Sequence, residues 1–131
     1  MGRRVVLLVA LGAVLATSGC GSTAEAALTA RTARYVVRLT LDRAALGERE
    51  ALVEIRDGED RPVTAAEVTI VSVMTAMGHA MPAVRAAPEP AAPGRYRARG
   101  RLFEMAGGWE VDVFIRVAGR SETARFSLEV G

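Results

Sequence analysis

A chain of 131 residues, half of them hydrophobic, has a globular composition and room for one domain. The formal charge of +2 disappears once Arg3 and Arg4 at the extreme N-terminus are set aside, so the body as a whole carries no electrostatic signature of nucleic-acid or anionic-lipid binding. A single cysteine excludes an intramolecular disulfide.

The first readable element is a leader. "MGRR" is a short basic start, and "VVLLVALGAVLA" is an apolar run of twelve residues. A membrane-spanning helix needs about 20, so the run predicts a signal peptide over residues 1–19. "ATSGCGS" follows, and its small residues before Cys20 resemble the lipobox of bacterial lipoproteins, with Thr17 where leucine is usual. The resemblance implies that Cys20 is lipidated, becomes the first mature residue and anchors the protein to the extracytoplasmic side of a bacterial membrane. It also gives the lone cysteine a purpose in a compartment where a free thiol is a liability. A plain secreted protein cleaved nearby is the alternative. Residues 20–33 are small and polar, and predict a flexible tether ahead of a domain spanning 34–131.

Beyond the tether the apolar period is two, the period of strands. "YVVRLTL" sets Val37, Leu39 and Leu41 on one face, and "ALVEIRD" sets Ala51, Val53 and Ile55 against Leu52, Glu54 and Arg56. "DGEDRPV" supplies a turn, and "EVTIVSVM" a third strand rich in β-branched residues. "AVRAA" predicts a short edge strand closed by the proline-rich "PEPAAPG". "RYRARGRLF" points Tyr96, Ala98, Gly100 and Leu102 inward and four arginines outward, the latter read as a solvated, edge-protecting face. "GWEVDVFIRV" turns Trp109, Val111, Val113, Ile115 and Val117 inward, and "ETARFSLEV" does the same with Phe126, Leu128 and Val130. Six or seven such strands with turns between them predict an all-β protein, an immunoglobulin-like antiparallel β-sandwich of about seven strands held by apolar packing alone.

One segment stands apart. "MTAMGHAM" holds Met74, Met77 and Met81 together with His79, the only histidine of the chain. Copper(I) is a soft ion that prefers thioether and imidazole donors, and thioethers survive where thiols oxidise. In an extended backbone residues 77, 79 and 81 project to one side, and Met74 joins them if the chain turns at Gly78. Met105, in the glycine-containing link "FEMAGGW", is a fifth candidate donor, because that link can meet the methionine segment at one end of a sandwich. Trp109 either offers an indole face to a cation or anchors the core, and its place on the apolar face of its strand favours the core. Methionine is also a good filler of irregular core gaps, so the same residues are open to a packing role.

Taken in order, "VEIRDGEDRPVTAAEVTI", "MTAMGHAM" and "PGRYRARGRLFEMAGGWEVDVFI" resemble the YtkA-like/FixH family of small extracytoplasmic β-sandwich proteins over roughly residues 35–118. The resemblance implies copper handling, oxidase assembly or metal efflux. It implies Met74, Met77, His79, Met81 and Met105 as metal ligands, and a copper transporter, an efflux adaptor or an oxidase assembly factor as partner. FixH proteins are held by a retained transmembrane helix, which a lipobox replaces here.

No glycine-rich phosphate loop, paired metal-binding carboxylates or nucleophile–histidine–acid set is present, so the sequence does not predict an enzyme. Two readings follow. One is a lipid-anchored copper(I) carrier or buffer, and the other a metal-free β-sandwich interaction module of the cell envelope.

Overall fold

The computed structural model describes residues 25–77 and 81–131, over which nine strands form two antiparallel sheets without a helix. They are β1 (Ala26–Arg31), β2 (Tyr35–Leu41), β3 (Glu48–Asp57), β4 (Glu67–Met74), β5 (Val84–Ala86), β6 (Glu89–Ala92), β7 (Arg95–Arg101), β8 (Gly107–Val117) and β9 (Arg120–Val130). One sheet has the order β1-β2-β3-β7-β6 and the other β5-β4-β8-β9. The protein is an all-β sandwich. The signal peptide and Cys20 lie outside the described residues, as does His79.

The core follows from the two-residue period. In the first sheet Val37, Leu39 and Leu41 pair in register with Ile55, Val53 and Ala51, and all six are essentially buried. The second sheet meets them with Ile70, Trp109, Val111, Val113 and Ile115, also buried. Each fully buried large side chain contributes about 1.5–3 kcal/mol, and this packing holds the sheets together without a covalent link. Tyr96 adds a polar tie. Its hydroxyl donates to the Val63 carbonyl (2.7 Å) and accepts from the Ala66 N–H (3.1 Å), pinning the crossing from β3 to β4.

Three features depart from the sequence reading. Residues 26–31, expected in the tether, form β1 and pair with β2 from Ala26↔Leu41 to Arg31↔Val36. Ala26, Leu28 and Ala30 half-bury against the core, and their small size lets an edge strand lie close. The proline-rich stretch contributes β6, wholly exposed, whose Pro90 is tolerated because the strand is at an edge. These two strands raise the count from about seven to nine. The arginine row lies on β7, which is not an edge along its whole length: Arg95–Arg97 have β3 on one side and β6 on the other. Its arginines are matched by acids of β3, with Arg95 on Glu54 (2.9 Å) and Arg97 and Arg99 on Glu50 (3.2 and 2.6 Å).

The two sheets share one end that matters below. Ala26, Leu41 and Arg101 lie there in the first sheet, and Met74, Gly107 and Val130 in the second. Residues 102–106 join the sheets across it, and the Gly131 N–H donates to the Ala44 carbonyl (3.2 Å).

Candidate functional site

The alternation of β4 turns Val68, Ile70, Ser72 and Met74 to the inner face. Met74, opposite Trp109 in the ladder, is 8% exposed and belongs to the core. Its Cε sits against Gly107, where an added Cβ would approach it to 2.9 Å. To reach an ion shared with the other candidates Met74 would have to leave this contact.

The chain then turns outward. The Thr75 N–H and hydroxyl both donate to the Gly108 carbonyl (3.0 Å each), tying the start of the methionine loop to the start of β8. Two residues on, Met77 is 43% exposed. Met81, beyond the undescribed residues 78–80, is half-buried and packs against the core.

Met105 comes to the same end from the other direction. It is 45% exposed, and its carbonyl accepts the Trp109 indole N–H (2.9 Å). Trp109 itself is 1% exposed and meets Phe103 edge-on, ring centroids 5.5 Å apart. The indole is therefore a core anchor with no face open to a cation. It fixes the Met105 backbone and leaves the thioether outside.

The five candidates thus divide. Met77 and Met105 present thioethers at the shared end on two loops joined by Thr75 and Gly108, Met81 lies partly inside, Met74 is inside, and His79 is not described. Among the described residues no three His, Cys, Asp or Glu side chains come together as a hard-ion site would require. The donors at this end are sulfurs, which fit a soft ion.

The charged clusters lie elsewhere. The Glu54 carboxylate is held below the ordinary glutamate value, first by the Arg56 hydrogen bond (2.9 Å) and further by the charge of Arg95. Asp57 is lowered mainly by the Arg61 backbone N–H (3.0 Å), with the Glu59 N–H adding to it. Asp57 caps the turn between β3 and β4, whereas Glu54 lies within β3 between Arg56 and Arg95. Arg125, raised by its two hydrogen bonds to Asp112 (2.8 and 3.0 Å), braces the outer face of β8 and β9.

With this geometry in view, the YtkA-like family model matches residues 29–114. The chain belongs to the YtkA-like family. The matched span opens within β1 and closes within β8, so it takes in the methionine loop, the arginine row and Met105, and leaves out β9. No curated protein and no solved structure matches this YtkA-like chain.

Proposed function

We propose that this YtkA-like domain is a copper(I) carrier or buffer, lipid-anchored through Cys20 outside the cytoplasm, and that it is not an enzyme. The observation that carries the reading is the pair of exposed thioethers, Met77 and Met105, on two tethered loops at one end of a rigid sandwich. Methionine of that exposure contributes little to packing, whereas these two sulfurs, taken together with Met81 and the sequence neighbour His79, make a soft donor set. Met77, Met105, Met81 and His79 are the ligands in this reading. Met74 supports the loop from the core and joins only if that contact opens. Thioethers carry no titrating proton, so binding is insensitive to pH until His79 protonates. The cargo then passes to or from a transporter, an efflux adaptor or an oxidase assembly factor in the same membrane.

The test is an anaerobic copper(I) competition titration against a chromogenic chelator, using the full chain in detergent. The expected result is one-to-one binding that weakens in Met77→Leu, Met105→Leu and His79→Ala while urea midpoints stay put. A chain that takes no copper from the chelator would sink the reading and leave the metal-free interaction module.

A further inference from the structure

Strand β7 is paired with β3 from end to end, but with β6 only at Arg95, Tyr96 and Arg97. The chain reaches β6 from β5 in the opposite sheet, and Pro88, which has no N–H to give, is buried at the crossing. Residues Ala98–Arg101 are therefore left with an edge on which no described strand lies. Such an edge offers a row of backbone donors and acceptors to an incoming strand. An open cleft of about 580 Å³ runs beside it, bounded by Arg85 and Ala86 of β5 and by Ala98 to Leu102. That volume falls in the range of about 300–1,000 Å³ usual for ligand clefts. At Gly100, with φ at 151°, an added Cβ would meet nothing within 4 Å, so the space continues behind the edge.

Charge selects the occupant. On the outer face Glu54, Glu50 and Glu48 of β3 stand opposite Arg95, Arg99 and Arg101, while Glu89 of β6 stands opposite Arg97. Arg95, Arg99 and Arg101 thus have an acid on the β3 side and Arg97 has one on the β6 side, so beyond Arg97 the open side of β7 ends on bases. Arg101 and, across the cleft, Arg85 make no ion pair among the described residues. A second copy added edge to edge would set arginine against arginine, and residues 1–24 contain no acid.

We propose that the Ala98–Arg101 edge receives an extended acidic segment of a partner protein as an added strand. Its backbone pairs with β7, and its alternate Glu or Asp side chains meet Arg99 and Arg101, with Arg85 facing it across the cleft. Backbone pairing supplies affinity and the alternating carboxylates supply selection, as in other strand-addition complexes. The Arg101 end of this edge leads into the link that carries Met105, but the proposal does not depend on metal.

The experiment uses the metal-free full chain in detergent and a fluorescein-labelled octapeptide of alternating Glu and Val, read by anisotropy at low salt. Saturable binding is expected, about tenfold weaker in the double variant Arg85→Ser, Arg101→Ser. The same peptide N-methylated at alternate residues keeps its charge but loses the donors along one edge. Methylation in one register should abolish binding, and in the other leave it. Undiminished binding in both registers would reduce the site to a polyanion patch and overturn strand addition. So would an absence of binding, or binding indifferent to the two serines. Capture of the chain by phosphatidylglycerol vesicles with no affinity for the peptide would assign the arginines to a lipid surface instead.

Discussion

The terminal methyl of Met74 occupies the space where a side chain on Gly107 would begin, 2.9 Å from the position of its Cβ. Gly107 also has φ at 132°, a backbone conformation that residues with a Cβ rarely adopt. Gly107→Ala should therefore destabilise the fold by about 1–3 kcal/mol through strain and overlap together. In a Met74→Ala background the overlap is gone but the strain persists, so only part of the loss should be recovered. Urea unfolding of the four members of this cycle measures both parts.

The methionines should fall into two classes when stability is measured. Met74→Ala removes a buried side chain and should cost about 2–5 kcal/mol. Met77→Leu and Met105→Leu, at exposed positions, should shift stability by less than about 0.5 kcal/mol. A large loss in either exposed variant would show that its side chain packs, and would weaken the case for it as a ligand.

Tyr96→Phe should be costly for so small a change. It strands the Val63 carbonyl and the Ala66 N–H, both served by one buried hydroxyl. The expected loss is about 1–3 kcal/mol. Amide exchange should quicken first at Ala66, the donor left without its acceptor.

Acid should weaken the fold through Glu54 and Asp57. Both carboxylates titrate below their ordinary values of 4.5 and 3.8 in the folded chain. A lowered folded pKa gives stability that is fully present above the unfolded value and is lost as pH falls through the folded one. Unfolding free energy should decline as pH drops below 4.5 for Glu54 and below 3.8 for Asp57. Glu54→Gln should flatten the earlier part of that decline in a series of urea titrations from neutral pH to about 3.

The inner faces of β2, β3, β7 and β8 were legible because each carries a clean two-residue alternation, and alternation reports burial on one side. Met74, read from the sequence as a candidate donor, continues the inward series Val68, Ile70, Ser72 into the core, a pattern that the β-branched Val71 and Val73 obscure. The edge strands were not legible. β1 alternates alanine and leucine with small polar residues, a contrast too weak to separate from a tether, and β6 is exposed throughout and contains proline. Partnership across strands was equally hidden. That Glu50 serves both Arg97 and Arg99, or that Thr75 finds Gly108, depends on pairings between distant segments which local pattern does not encode. The loop carrying Met105 was anticipated near the methionine segment, and the structure brings the two together. Trp109, the aromatic considered for a cation, proved to be what holds that loop in place.

The order of β1 also fixes a direction. The strand starts at Ala26, six residues past Cys20, and it starts at the end of the sandwich that carries Met77 and Met105. Six residues extend at most about 20 Å. If Cys20 carries the proposed lipid, the domain would hang on a short leash with its sulfur-bearing pole toward the headgroups. Ion exchange would then take place in the thin water layer against the bilayer, favouring partners embedded in that membrane over ones that diffuse past.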